Sequence, residues 1–178
     1  IQKTKQSFIN AIQVRHPIIE RIQTKTHYIP NDCHLGVKQL GMLLYGINAS
    51  GKSSYMKSIG LNLILAQAGF FVAAESFEYS PYTKIFTRIS GQDNLFKGHS
   101  SFEVEMHELR NILERSDDSS LILGDELCKG TESQSALAIV SSGIVTLSKQ
   151  QSQFIFATHL HGLNEINYVT ELQNVNSY

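Results

Sequence analysis

Apolar positions along this chain fall into short blocks separated by polar, glycine-bearing or proline-bearing stretches. Residues 1–14 alternate polar and apolar without a sustained period, and only 11–14 predict a short strand. Arg15-His16-Pro17 breaks that run, residues 18–22 predict a helical turn, and Pro30-Asn31-Asp32 predicts a turn. Short strands are expected at 35–37 and 42–45. Between 52 and 68, Met56, Ile59, Leu63 and Ala66 recur at helical spacing, with Gly69 placed to end the helix. Strands are expected at 70–74 and 84–89, around a turn at Ser80-Pro81, and residues 91–98 read as a polar, glycine-bounded loop. Phe102, Met106, Leu109 and Leu113 mark a further helix, which stops near Ser116-Asp117-Asp118. Residues 121–123 and 154–157 are continuous apolar runs, as in strands buried on both faces, and 135–149 between them is helical. Strands alternating with helices predict an α/β domain whose mostly parallel sheet is flanked by helices. Ligands of such sheets bind at the carboxyl ends of the strands.

One of those ends carries Gly46-Ile47-Asn48-Ala49-Ser50-Gly51-Lys52-Ser53-Ser54. It fits G-x-x-x-x-G-K-[ST], the phosphate-binding loop of P-loop NTPases, in the strand-to-helix context that motif requires. Gly46 and Gly51 let the backbone fold around phosphate oxygens, and successive N–H groups, with the helix N-terminus, form an anion cradle. Lys52 is expected to reach the β- and γ-phosphates and Ser53 to complete a Mg²⁺ shell. The plainer reading is a glycine-bearing turn with a lysine in the first helical turn.

A second strand end, Leu121-Ile122-Leu123-Gly124-Asp125-Glu126, closes on two adjacent carboxylates, the Walker B pattern in a phosphate-loop protein. Asp125 is expected to hold Mg²⁺ and Glu126 to orient and deprotonate the attacking water. The second acid separates a hydrolase from a phosphate-transfer enzyme. A third end, Phe154-Ile155-Phe156-Ala157-Thr158-His159, places His159 where it can hydrogen-bond the γ-phosphate or the water; a lone histidine there is otherwise structural. Gly98-His99-Ser100-Ser101-Phe102 opens a helix. Ser100 or Ser101 can cap it, with Glu103 completing a capping box. The sharper reading has Ser100 completing the nucleotide site of a second subunit. ATP-binding-cassette proteins place a signature serine upstream of the Walker B acid at a spacing close to that of Ser100, while Ser90-Gly91-Gln92 lies too far upstream.

Composition narrows the class. The chain has 178 residues, 42% hydrophobic and 17% charged, which suits one globular domain spanning 1–178. A net charge of −1 advertises no nucleic-acid affinity of its own, so DNA contacts are expected in other parts of a longer protein. Cys33 and Cys128 have neither metal nor disulfide spacing and suggest an intracellular, reducing compartment. The longest apolar segment, 59–74, carries Asn62, Gln67 and Gly69 and is too short to cross a membrane. Seven histidines include two close pairs, His159 with His161 and His107 with Glu103, but no cysteine joins either, so no zinc site is expected.

Taken in order, Arg15-His16-Pro17, Gly46 through Met56, Ile85-Phe86-Thr87-Arg88-Ile89, Gly98 through Phe102 with Glu105-Met106, Asp125-Glu126 with Gly130-Thr131, and Phe156 through His159 resemble the ATPase domain of the MutS DNA mismatch-repair family. The resemblance spans nearly the whole chain. It implies an ABC-type ATPase module using ATP and Mg²⁺. Gly46, Asn48, Ser50, Gly51, Lys52, Ser53 and Ser54 would bind triphosphate, with Ser53 and Asp125 on the metal. Glu126 and His159 would serve the water and the γ-phosphate, Ser100 would act in trans, and Tyr28 would stack on adenine. It further implies a homodimer or paralogue heterodimer, and double-stranded mismatched DNA gripped through domains not seen in this sequence. Ile47, Ala49 and Ser50 stand where the family usually has proline, methionine and glycine. Cys128-Lys129 replaces Gly-Arg, which is expected to alter a subunit contact. These departures suggest a divergent lineage, as in viral and mitochondrial branches. A MutS-like or other ABC-type ATPase of recombination or genome maintenance, a small-molecule kinase, and a nucleotide-gated clamp that barely turns over remain the alternatives.

Overall fold

A computed structural model describes residues 6–22, 28–36, 39–47, 49–89, 101–129, 131–165 and 175–177. The central element is a five-stranded, all-parallel sheet. It is built from β3 (Gly41–Leu44), β5 (Lys84–Arg88), β6 (Ser120–Asp125), β7 (Gln153–Ala157) and β8 (Val175–Ser177) in the order β5-β6-β7-β3-β8. The expected α/β class with its helix-flanked parallel sheet holds. A second sheet, absent from the sequence reading, is antiparallel: β1 (Phe8–Val14) lies between β2 (Asn31–Leu35) and β4 (Ser76–Ser80).

Continuous apolar runs are what a sheet covered on both faces demands, because alternate side chains enter different cores. Met42, Leu44, Leu121, Leu123, Ile155 and Ala157 join one cluster with Met56, Ile59 and Leu63 of α2 (Lys52–Gln67) and with Ile9, Ala11 and Cys33 of the antiparallel sheet. Leu43, Ile122, Phe154 and Phe156 join the other cluster. There they meet Ile112 of α3 (Ser101–Arg115) and Ala136, Val140, Ile144 and Leu147 of α4 (Ser133–Lys149). Phe154 and Ile155, consecutive and both fully buried, point to opposite cores. Each contributes roughly 1.5–3 kcal/mol by leaving water.

Two segments differ from expectation for identifiable reasons. Residues 70–74 are not a strand, and Phe70 and Phe71 stand exposed. Gly69 leaves the helix at φ 78°, and the backbone of Ala73 is already committed: its N–H donates to Asn62 Oδ1 (2.7 Å) and its carbonyl accepts from Arg15 N (2.7 Å). Pairing with β1 begins only at Ser76. The turn expected at Pro30-Asn31-Asp32 gives way to β2, which starts at Asn31 opposite Val14. Register shifts there between Ala11 and Val14. Gln13 takes a left-handed φ of 53°, and its N–H is received by Asp32 Oδ1 at 2.8 Å. Residue 37, the last of the strand expected at 35–37, and the loop at 91–98 lie outside the described residues.

Asn62, fully buried on α2, ties this layer together. It donates to the Arg15 carbonyl (2.9 Å) and the Ser58 carbonyl (2.8 Å) while accepting from Ala73. Removing it orphans backbone groups on two segments. Asn62→Ala is therefore expected to lower the unfolding free energy by about 1–3 kcal/mol in urea titration. A loss under about 0.5 kcal/mol, the range of an ordinary surface change, would contradict this role.

Candidate functional site

The sheet order brings three strand ends level. Leu44 of β3 and Asp125 of β6 both pair with Ala157 of β7, which lies between them. Beyond that level come the phosphate-loop sequence, Glu126 and Thr158-His159. Thr158 N–H donates to the Leu44 carbonyl (3.0 Å) and Glu126 N–H to the Ala157 carbonyl (2.9 Å), so each segment leaves the sheet along its neighbour.

The loop leaves β3 and enters α2 at Lys52. Gly46 and Gly51 take φ of 150° and 98°, backbone that a Cβ resists, and Ala49 between them sits at 63°. A Cβ on Gly46 would also come within 2.9 Å of Ser50 Oγ. Lys52 folds back over the loop, its Nζ donating to the carbonyls of Gly46 (2.7 Å) and Ile47 (2.9 Å). Ser53 Oγ donates to Asp125 Oδ1 at 2.9 Å across 72 residues of sequence. Loop and strand-end acid thus meet directly. Asn48 and Ser100 lie outside the described residues.

Glu126 is held on both oxygens. His159 Nε2 donates to Oε1 at 3.0 Å and Lys129 Nζ to Oε2 at 2.5 Å. Lys129 first, and His159 after it, keep this carboxyl below the usual range, against the opposing effect of burial. The Lys129 side chain is 70% exposed, so it screens Glu126 without sealing it. Sequence reading missed this lysine; the signal was an opposite charge three positions past the acid. Cys128 occupies φ 60°, which accounts for the glycine usual in the resembling family. Its side chain is buried against the α3 and α4 cluster.

Beside the loop opens a cavity of about 730 Å³, a volume that suits a nucleotide-sized ligand. Its lining includes Gly46, Ala49 through Lys52 and Ser54 of the loop, and Tyr28, Ile29, Asp32 and Ile19 from the segments before it. Tyr28 is half-buried, and that burial raises its hydroxyl pKa, partly offset by a hydrogen bond with Ser58. Asp32 is fixed through its carbonyl, which accepts from Tyr55 Oη at 2.8 Å. Asp125, Glu126 and His159 lie outside this cavity's lining. The sequence reading found Tyr28 but not its neighbours in the lining, because Ile19 and Ile29 carry no motif. Tyr45, at the mouth of the loop, stacks on His161 with centroids 5.5 Å apart, and burial pushes its hydroxyl up to about 12.

Ile19 belongs to α1 (Ile19–Ile22), whose start is held by His16. The buried His16 ring accepts at Nδ1 from the N–H groups of Ile18 and Ile19, both at 3.3 Å.

A family model for MutS domain V matches residues 42–178. A mutS homolog of Acanthamoeba polyphaga mimivirus is 40% identical over 97% of this chain and 18% of its own length. A mitochondrial DNA mismatch repair protein mutS homolog of Sarcophyton glaucum is 45% identical over 90% of this chain and 16% of its own. The DNA mismatch repair protein MutS of Chlorobium chlorochromatii is 44% identical over 85% and 18%. The chain spans less than a fifth of the length of these relatives.

The cap on α1 gives the pocket wall a pH dependence. Burial foremost, and then the Lys57 charge, lower the His16 pKa from 6.5, so the folded chain holds the ring neutral. The stability it contributes is complete above 6.5 and is lost as pH falls and the unfolded chain takes up the proton first. Between neutral pH and about pH 5.5, unfolding free energy should fall more steeply for wild type than for His16→Asn, which keeps an acceptor and cannot titrate. Parallel slopes would contradict it.

Proposed function

This chain belongs to the MutS family, and we propose that it is the ATP-binding and ATP-hydrolysing module of a MutS-like DNA mismatch repair protein, coupling dimer engagement to the switching of a DNA clamp. The observation that carries the reading is the 2.9 Å hydrogen bond from Ser53 to Asp125, with Glu126 and His159 paired one residue and one strand further on.

The donor set fits a magnesium ion. A serine hydroxyl and a carboxylate facing each other are hard oxygen ligands, with no sulfur or imidazole between them. Ser53 and Asp125 would hold the ion, and when bound with nucleotide it neutralises charge on the phosphates. The chain's own residues do the rest. Lys52, now donating to two loop carbonyls, exchanges them for phosphate oxygens, and the N–H groups of 46–54 complete the cradle. Tyr28 supplies the flat apolar surface for adenine in the cavity. Glu126 takes the proton of the attacking water, oriented by His159. A bridge to so exposed a lysine is weakened by solvent, so Lys129 yields Glu126 readily when the γ-phosphate arrives.

The remaining assignments extend that reading. Ser100 completes the site of a second subunit, in a homodimer or with a paralogue. Bound ATP draws the two subunits together and hydrolysis releases them, a two-state switch set by the γ-phosphate. Mismatched double-stranded DNA is gripped by parts of the protein outside this chain, consistent with a net charge of −1 here. Among the described residues no helix is long and apolar enough to cross a membrane. Cys33 and Cys128 are free and buried, in keeping with a reducing, intracellular setting.

Turnover by the intact protein tests the chemistry. Glu126→Gln should lower kcat by about 10²–10⁴-fold while ATP still binds; wild-type turnover would remove Glu126 as the base. Mixing Ser100→Ala with Lys52→Ala protein tests the shared site. One composite site in the mixed dimer keeps both functional groups, so activity should exceed the sum of the separate variants. Activity equal to that sum would show that the sites are not completed in trans.

A further inference from the structure

Two residues of the segment after β6 stand in the left-handed region without being glycine: Glu126 at φ 50° and Cys128 at φ 60°. Each such placement costs on the order of 1 kcal/mol and persists only where surrounding structure imposes it. Here a hydrogen bond restrains each of the two. From the sheet side, the Ala157 carbonyl receives Glu126 N–H at 2.9 Å. From the helix side, Glu105 of α3 receives Cys128 N–H on Oε1 at 2.8 Å.

Glu105 is poorly placed for a surface carboxylate. Only 8% of it is exposed, on a helix whose neighbouring Leu109 and Ile112 are buried. A carboxylate in such a place needs partners, and its partners are specific. Arg88, from the end of β5, approaches the same Oε1 at 4.0 Å and binds Glu108 one turn along at 2.9 Å. The carboxylate thus has a cation within ion-pair range at the sheet edge, and its hydrogen bond goes to the backbone of the segment that carries Glu126. α3 itself begins at Ser101, next in sequence to the serine assigned above to the partner's nucleotide.

We infer that Glu105 is a positioning residue for ATP hydrolysis: its hydrogen bond to the Cys128 amide locks the 126–128 turn in its left-handed form, aims Glu126 at His159, and transmits the position of α3 to that carboxylate. The inference rests on the reading of Glu126 as the base. A helix displaced along its axis carries Oε1 away from Cys128, and the turn then relaxes toward ordinary backbone and swings Glu126 off line. Subunit engagement at the start of α3 would in this way be felt at the water without any contact between partner and Glu126.

The test compares Glu105→Ala and Glu105→Gln in the intact protein. Gln keeps an acceptor for the Cys128 amide; Ala does not. In Glu105→Ala, kcat should fall about 10- to 100-fold, the scale of a misplaced reacting group, while ATP affinity is unchanged. Glu105→Gln should recover most of the loss. Amide hydrogen exchange reads the same bond without catalysis, with Cys128 protected in wild type and Glu105→Gln and unprotected in Glu105→Ala. Should the alanine variant not fold, Glu105→Asp, one methylene shorter, serves as the disrupting change. Wild-type kcat in the disrupting variant, equal protection in all three proteins, or a glutamine variant as impaired as alanine would overturn the role. If Glu126→Gln turns over like wild type, the reading underneath has failed instead, and the exchange comparison still judges the grip on Cys128.

Discussion

The hydrogen bond from Ser53 to Asp125 is the contact on which the site depends, because it joins two motifs that the chain makes far apart. Its existence requires the whole parallel sheet. β3 and β6 do not pair; β7 lies between them, and all three reach the same level at Ala157. A one-residue slip of β7 against either neighbour would move the loop, the acids or the histidine by ~3.3 Å and exchange the apolar faces of the strand. Phe154 and Ile155, buried on opposite sides, oppose such a slip. Core packing and site geometry are here one constraint.

Around that contact the backbone carries strain that the fold supports. Ala49 in the loop, and Glu126 and Cys128 after β6, hold positive φ values without glycine's freedom. Lys52 lies across its own loop and Lys129 across Glu126, so both cations already have internal partners. Nucleotide binding on this account exchanges partners more than it creates order, which keeps the conformational cost of binding low.

The parts of this architecture that were legible in the sequence are those dictated by local rules. Residues 121–123 and 154–157 read as doubly buried strands because no polar residue interrupts them, and the spacing of Met56, Ile59 and Leu63 could only be helical. Lys52, Ser53, Asp125, Glu126 and His159 stood out because each follows an apolar run at a strand end, where a parallel sheet places its ligands. What escaped was set by distant partners. Residues 70–74 look like a strand until Asn62 and Arg15 are seen to take the Ala73 backbone, and nothing local says so. The antiparallel sheet pairs segments at 8–14, 31–35 and 76–80, a long-range choice invisible to periodicity. Glu105 lay in a quoted motif without a role, because its partner is a backbone amide 23 residues later.

The central claim, that this sheet edge grips a magnesium-bound triphosphate through Lys52, Ser53 and Asp125, is tested most directly by calorimetric titration of ATP into the intact protein with and without Mg²⁺. The account predicts measurable uptake that tightens when the ion is present, and loses that tightening in Asp125→Asn. No uptake of adenine nucleotide, or an affinity indifferent to the ion in wild type, would contradict it.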